Sequence, residues 1–194
     1  MLPNPLPNIL HKKELTEFLY PRDKNYPLTE SWEVGGEYLN NVGEGLLKYT
    51  WFAWTDNENI YIKREDLDNV IKVLSDIDIT EIDVTFDQNM NICVAYVSNN
   101  ISKLYWYDAQ QSKQVTTIYP VNIKRPRVSL DDKRAFNISS SDIIFGYQRD
   151  EHLCYRLQRD RYSKEYIIAT DLKVKRILWR IGMGRDNRFL FFWR

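Results

Sequence analysis

From Tyr49 onward, apolar runs of five to seven residues alternate with short polar segments. The run YTWFAWT is followed by the polar segment DNEN and then by IYIKR, and the alternation continues through ICVAYV, KLYWYD and QVTTIY. Asn, Asp, Ser and Gln fill the gaps, and such residues favour tight turns because their side chains bond the backbone of the turn. The pattern therefore predicts an all-β body of short antiparallel strands.

Two stretches of the chain repeat each other. The first, VTFDQNMNICVAYVSNNISKLYWYDAQQSKQVTTI, begins at Val84, and the second, VSLDDKRAFNISSSDIIFGYQRDEHLCYRLQRDRYSKEYII, begins at Val128. Both open with Val, a variable residue, Phe or Leu, and Asp, and both continue into an apolar strand that ends in a small residue and Tyr. The spacing of 44 residues between the two valines is typical of propeller blades, which have about 40–45 residues and four strands.

Both ends of this body carry partial units. TWFAWTDNENIYIKREDLDNVIKVL matches the last three strands of the unit, and RIGMGRDNRFLFFW matches its first two. The prediction is thus a propeller-like fold with two complete and two partial four-stranded units. The terminal run RFLFFW (188–193) is expected to pair with the first unit or with a partner chain, because an unpaired apolar edge would aggregate.

Residues 1–47 differ in character and are predicted to form an extended docking arm, with the β-repeat domain at 48–194. Five of the seven prolines lie within residues 1–31, and proline favours extended chain. The arm is also too apolar for a solvated linker. The residues expected to dock onto a partner are Leu2, Leu6, Ile9, Leu10, Phe18, Leu19, Tyr20 and Tyr26. The alternative is that the arm folds back onto its own β body.

Charge argues against nucleic acid as a partner. The chain has 27 basic and 27 acidic residues, whereas a protein that grips phosphates usually has a clear positive excess. The basic stretch LCYRLQRDRYSKEYIIA (153–169) is interpreted as one strand–turn–strand of a unit, with Leu153, Tyr155 and Leu157 on one face and Arg156 and Gln158 on a solvated face. No apolar run approaches the roughly 18 residues of a membrane helix, so no membrane partner is expected.

No enzyme chemistry is predicted. The two histidines, His11 and His152, have no recognisable triad spacing, and the two cysteines, Cys93 and Cys154, lack the spacing of a zinc site. The acids of SDIDITEID and the repeat-equivalent Asp87 and Asp131 are interpreted as turn structure, rather than as ligands of a metal or as catalysts. The six Trp residues are interpreted as core filling between units. We expect no catalytic residue, no metal and no cofactor.

The motifs FDQNMN…VAYV, PRVSLDDKR and YRLQRDRY resemble a family of small tail-associated virion structural proteins of short-tailed bacteriophages. The resemblance covers about residues 44–194 and is weak in the arm. It implies a non-enzymatic virion component, made in the bacterial host cytoplasm and present in several copies in the tail. Its expected partners are other virion proteins, such as tail, adaptor or fibre proteins. The alternatives are a receptor- or carbohydrate-binding module at a fibre end and a capsid decoration protein.

Overall fold

The fold was examined in a computed structural model, which describes residues 28–29, 51–64, 67–87, 91–131, 142–169, 178–183 and 189–193. Fourteen strands lie in these segments. They are β1 (Leu28–Thr29), β2 (Trp51–Thr55), β3 (Asn59–Arg64), β4 (Val70–Ser75), β5 (Ile79–Phe86), β6 (Ile92–Ser98), β7 (Ile101–Asp108), β8 (Lys113–Ile118), β9 (Ile123–Asp131), β10 (Asp142–Arg149), β11 (His152–Leu157), β12 (Tyr166–Ala169), β13 (Leu178–Met183) and β14 (Phe189–Trp193). A 3-10 turn, Gln158–Asp160, follows β11.

The strands form antiparallel meanders, as the alternation of apolar and polar runs predicts. Three four-stranded sheets are built from β1–β4, β5–β8 and β9–β12, and β13 pairs with β14 in a two-stranded sheet. Within each sheet, strands that follow one another in the chain are neighbours. The two complete units of the sequence repeat are thereby confirmed as the second and third sheets.

The first sheet has a strand that the repeat did not reveal. Leu28 and Thr29 pair with Trp54 and Ala53 of β2, so residues of the predicted arm supply the fourth strand of this sheet. At these two residues the chain lies on its own β body, which is the alternative stated for the arm. The remaining arm residues, including all eight predicted docking residues, lie outside the described part of the chain.

The sheets stack face to face, and an apolar cluster fills each interface. Ala53, Ile60 and Ile62 of the first sheet pack against the second sheet at Ile79 and Val84. The interface between the second and third sheets is rich in aromatic rings, which are those of Trp106, Tyr119, Phe145, Tyr147 and Tyr162. A third cluster joins the third sheet to β13. The second and third sheets are consequently buried on both faces.

The small residue that precedes Tyr in both repeat units is explained by this stacking. It is Ala95 in β6 and Gly146 in β10, and both strands lie inside their sheets. At Gly146, a Cβ atom would lie 2.2 Å from Cδ1 of Ile181 and 3.3 Å from Cε1 of Phe191. The absence of a side chain at Gly146 therefore leaves room for the side chains of Ile181 and Phe191 on the third sheet.

The C-terminal strand β14 pairs with the strand that precedes it. β14 pairs with β13, with Ile181 opposite Phe191 and Gly182 opposite Leu190. Among the described strands, none of the first sheet pairs with β14. The predicted pairing of RFLFFW with the first unit or with a partner chain stays a prediction.

Substitution of Gly146 by Ala should weaken the docking of β13 and β14. The new methyl group must displace the buried end of Ile181, and overpacking of this kind costs about 1–3 kcal/mol. The free energy of unfolding from denaturant titration measures the loss.

The matched control is Ile181→Val, which removes Cδ1. In the double variant the two losses should be less than additive, since the smaller side chain leaves room for the new methyl group. A Gly146→Ala protein as stable as the wild type would contradict the assignment of this glycine to close packing.

Candidate interaction surface

One end of the stacked sheets carries two kinds of turn: those that connect successive sheets, and alternate turns within each sheet. Because consecutive strands are antiparallel, every second turn lies at the same end. These turns are 56–58, 76–78, 99–100, 119–122 and 150–151. Hydrogen bonds join them across the sheets: the Asp76 backbone N–H donates to the Glu58 carbonyl at 2.8 Å, and that of Asn99 donates to the Asp78 carbonyl at 3.3 Å. These bonds join the first three turns, and Asn122 Nδ2 donates to Asp150 Oδ2 at 3.2 Å between the last two.

The described turns at this end are acidic, and we call these five turns the acidic end. Of their 14 residues, six are Asp or Glu and none is Lys, Arg or His. The six acids are Asp56, Glu58, Asp76, Asp78, Asp150 and Glu151. The whole chain has no net charge, so its charges are distributed unevenly. An excess of negative charge favours a positively charged partner and repels phosphate.

Two large apolar side chains project from the acidic end at equivalent repeat positions. Ile77 and Val121 are 44 residues apart, like Val84 and Val128, and are 68% and 71% exposed. Ser98 Oγ donates to the Ile77 carbonyl at 2.6 Å, and near Val121, Ser102 Oγ donates to the Ile123 carbonyl at 2.7 Å. Exposed apolar groups of this kind are typical of a contact surface.

The carboxylate of Asp56 accepts several hydrogen bonds within the first turn of the acidic end and beside it. It accepts the backbone N–H groups of Glu58 at 3.0 Å and Asn59 at 2.6 Å, and the Tyr61 hydroxyl at 3.0 Å. Burial acts to raise the pKa of Asp56, but the bonds from Asn59, Glu58 and Tyr61 outweigh it and lower the pKa to about 2. The carboxylate is therefore ionised throughout the physiological range.

Asp76 links the first two sheets. Lys103 Nζ lies 2.6 Å from Asp76 Oδ2, and the Tyr96 hydroxyl donates to the same oxygen at 3.1 Å. Burial raises the pKa of Asp76, whereas the bonds from Lys103, Ile77 and Tyr96 lower it by more. The interpretation of this acid as a structural group is confirmed.

The other acids examined in the sequence also have structural bonds. Glu81 binds Arg125 at 2.5 Å across the second and third sheets, and Asp83 accepts the backbone N–H of Val128 at 2.9 Å. Asp87 accepts the backbone N–H of Asn91 at 2.8 Å and closes its turn. The side chain of Asp131 lies outside the described part of the chain.

The basic stretch 153–169 links two sheets at some of its residues, while Arg159, Arg161 and Lys164 are exposed, as predicted. The predicted alternation is confirmed, since Leu153 and Leu157 enter one core cluster with Tyr155 beside them. The prediction for the opposite face is wrong at Arg156. Its side chain is 18% exposed and lies over the Tyr119 ring, 5.5 Å from the centroid.

The Arg156 guanidinium donates three hydrogen bonds. Nε donates to the Tyr147 hydroxyl at 2.8 Å, and Nη1 donates to the carbonyls of Tyr162 and Ser163 at 2.9 Å each. Glu165 accepts the Tyr147 hydroxyl at 2.6 Å. Sequence alternation could not reveal this role, because the aromatic partner Tyr119 lies far away in the sequence, in the turn between β8 and β9.

The remaining arginines of this stretch are paired with buried carboxylates. Arg159 Nε lies 2.5 Å from Asp142 Oδ2, and Arg161 bonds to Asp108 of the second sheet. The Asp142 and Asp108 side chains are only 6% and 1% exposed. These arginines neutralise buried carboxylates, while their own side chains are 60% and 43% exposed.

The groups most capable of chemistry are engaged in the core. Cys93 is buried and its Sγ lies 3.9 Å from the Tyr162 hydroxyl. Burial raises the pKa of both groups, so the thiol is protonated and is not a nucleophile. Within the described residues, no three His, Cys, Asp or Glu side chains are grouped to hold a metal ion.

Three of the Trp residues, Trp51, Trp54 and Trp106, pack in or beside the sheets. Trp106 is buried against Tyr162, with ring centroids 5.0 Å apart. Trp51 packs on Phe86 at 4.9 Å, and Trp54 stacks on Tyr61 at 5.7 Å. Trp51 and Trp54 therefore contact different faces of the first sheet, as their spacing predicts.

Comparison of the chain with protein-family models, with curated proteins and with solved structures gives no match. In the part of the chain that the structure describes, there is no helix with the length and apolar character needed to cross a membrane.

Replacing Asp56 by Asn should cost about 1 kcal/mol of unfolding free energy at pH 7, because the amide keeps the shape but loses the charge-assisted bonds. The pKa of Asp56 is lower in the folded than in the unfolded chain. Its stabilisation is therefore fully present above the unfolded pKa near 3.8 and is lost as the pH falls towards about 2.

Urea unfolding between pH 7 and pH 2.5 tests this expectation. The difference between wild type and Asp56→Asn should shrink below about pH 4. Asp68→Asn is the control, since that side chain is fully exposed and its change should have little effect. A difference that stays constant over the whole range would contradict the assigned role of the Asp56 charge.

Arg156→Lys should destabilise the protein by about 2 kcal/mol, because an ammonium group cannot replace the three separated donors of the guanidinium. Lys164→Gln is the control. Lys164 lies over the Tyr166 ring at 4.7 Å, on the exposed side of the same segment, and should cost less than about 1 kcal/mol. Equal stabilities of the two variants in denaturant titration would rule out a tether at Arg156.

Proposed function

We propose that this protein is a non-enzymatic structural component of a bacteriophage particle. Its place is the tail or the attachment of a tail fibre, and its partners are other virion proteins. The resemblance over about residues 44–194 is the origin of this proposal. The observation that carries this proposal is that ionisable side chains hold the described sheets together. Arg156 lies over Tyr119, and Asp142 and Asp108 are paired with Arg159 and Arg161, as in a rigid scaffold.

We further propose that the sheets are blades of a propeller. Three features support this arrangement: the 44-residue spacing between repeat positions, the meander order within each sheet, and the packing of β5 against β9 and of β9 against β13. In this proposal the ring is closed by the C-terminal run and the first sheet, or by a neighbouring subunit.

The proposed anchor is the arm that precedes β1. Leu28 and Thr29 belong to the body, so the segment available for docking ends before them. Its eight large apolar residues (Leu2, Leu6, Ile9, Leu10, Phe18, Leu19, Tyr20 and Tyr26) would enter grooves on a neighbouring virion protein. The prolines among them limit the entropy that an extended segment loses when it docks.

Deletion of residues 2–26 from the phage gene tests the anchor while keeping β1. We expect a folded body that no longer enters particles, because the apolar contacts of the arm are lost. Quantitative mass spectrometry of purified particles measures the copy number, and circular dichroism of the isolated protein verifies the β fold.

A matched pair of full-length variants separates the apolar contacts from the length of the arm. In one variant the eight apolar residues are replaced by Ser, and in the other Asn4, Asn8, Lys12, Glu14 and Lys24 are replaced by Ser. The first should be absent from particles and the second incorporated. Normal incorporation of the deletion variant would refute the arm as the anchor.

A further inference from the structure

The last strand of each four-stranded sheet lies at the edge of its sheet. These strands are β4, β8 and β12, and among the described strands each of them pairs with one neighbour. An edge strand presents a row of unpaired backbone N–H and C=O groups, which can pair with a further strand. Proteins usually block such edges with short strands, bulges, charged side chains or proline. The three edges can therefore be compared by what blocks each of them.

Two of the three edges are blocked by bulges. In β4 the register shifts so that Val73 is passed over between two partners of β3, and Lys72 lies beside this bulge. In β12 Ile168 is passed over in the same way between two partners of β11, and the strand has only four residues. A bulge bends its strand and interrupts the ladder, so neither edge presents a regular row of backbone groups.

The edge formed by β8 has no such block. All six residues of this strand pair with β7 in an unbroken register. Its one charged residue, Lys113, is the first residue of the strand, and Pro120 lies beyond its end. The rest of the strand reads QVTTI and is rich in β-branched residues, which favour strands. β8 is therefore the edge best suited to pair with another strand.

The hydrogen bonds of β8 show which of its backbone groups point outward. The Tyr119 backbone N–H donates to the Ser102 carbonyl of β7 at 3.0 Å. In an antiparallel pair, hydrogen-bonded and non-hydrogen-bonded positions alternate along the strand. The odd-numbered residues of β8 are therefore bonded to β7, as Tyr119 is. The N–H and C=O groups of Gln114, Thr116 and Ile118 point away from it.

Side-chain contacts attach β8 to the body independently of any partner. Val115 packs against the aromatic cluster between the second and third sheets, and Thr117 Oγ accepts a hydrogen bond from Trp106 Nε1 at 3.0 Å. Thr116 and Ile118, by contrast, are exposed, Ile118 to 65%. A partner strand would therefore meet an edge that is already formed.

The sequence of β8 is complementary to a second copy of itself. When two copies pair antiparallel about a two-fold axis at Thr116, Thr116 lies opposite its own copy and Gln114 lies opposite Ile118. These are all hydrogen-bonded pairs, so every outward N–H and C=O group of the strand has a partner. Thr opposite Thr is a favourable cross-strand pair. Lys113 lies opposite Tyr119, so no like charges face each other.

We infer that two copies of the chain associate through β8, with a two-fold axis at Thr116, so that their second sheets join into one continuous sheet. The same strand serves both copies, as in other two-fold interfaces. A single pair of strands buries less than the about 1,200 Å² of a stable interface, so the dimer is expected to be weak and to depend on concentration. The inference concerns the isolated protein and does not depend on the proposed place in a virion.

Sedimentation equilibrium of the full chain between about 1 µM and about 300 µM measures the association. The wild type should approach twice the mass of one chain as the concentration rises. Thr116→Lys alone and Thr116→Glu alone should each associate at least about tenfold more weakly, because like charges then face each other at the axis. An equimolar mixture of these two variants should associate again, because Lys then lies opposite Glu.

The matched control is Ile167→Lys. It adds the same charge at an exposed position of the edge strand β12, so its association should equal that of the wild type. Circular dichroism and denaturant titration of all three variants verify that each of them is folded.

Hydrogen exchange followed by NMR identifies the strand that pairs. At high concentration, the amides of Gln114 and Ile118 should exchange at least about tenfold more slowly in the wild type than in Thr116→Lys, since paired amides are protected. The amides of Val115 and Thr117 should be equally protected in both proteins, because they are bonded to β7. This alternation along one strand distinguishes edge pairing from a general change in stability.

Several results would overturn the inference. They are association of Thr116→Lys as strong as that of the wild type, a mixture of the Lys and Glu variants that stays monomeric, and a wild type that is monomeric at every concentration. In a monomeric wild type, slow exchange at Gln114 and Ile118 would assign this edge to another segment of the same chain, whereas fast exchange would show an edge without an occupant.

Discussion

Burial of both faces of the second and third sheets is the constraint on which the rest of the structure depends. An inner strand such as β6 or β10 can have no polar face, so it reads as an uninterrupted apolar run rather than as an alternating one. The same constraint requires a small side chain where the next sheet comes closest, which explains Gly146. Stacking of this kind also leaves the backbone polar groups paired within each sheet, so the interfaces can be filled by aromatic rings.

The pairing of the buried charged groups is also a consequence of the stacking of the sheets. A carboxylate taken out of water is costly unless a cation and several hydrogen-bond donors accompany it. Asp108 and Asp142 satisfy this requirement with Arg161 and Arg159, and Arg161 comes from the neighbouring sheet. Such pairs make a small contribution to net stability compared with the apolar clusters, but they fix the register in which one sheet lies on the next.

The strands and their order could be predicted because both depend on local signals. Polar turns such as DNEN mark the strand ends, and the 44-residue spacing identifies equivalent strands. Two features depend on contacts between distant residues and could not be predicted. The role of Arg156 requires Tyr119, which lies far away in the sequence, and β1 has only two residues, too few for any periodicity. The exposed pair at the acidic end could have been identified in the sequence, because Ile77 and Val121 occupy the same repeat position. An apolar residue in a turn does not by itself indicate that its side chain is exposed.

The shortness of β1 has a consequence for local unfolding. Among the described residues, β1 pairs with β2 only through Leu28 and Thr29, whereas β2 pairs with β3 over five residues. Few backbone bonds therefore resist the separation of β1 from its sheet. We expect this edge strand to open by local unfolding more readily than the β2–β3 pair, so that the first sheet can lose β1 while its other strands stay paired.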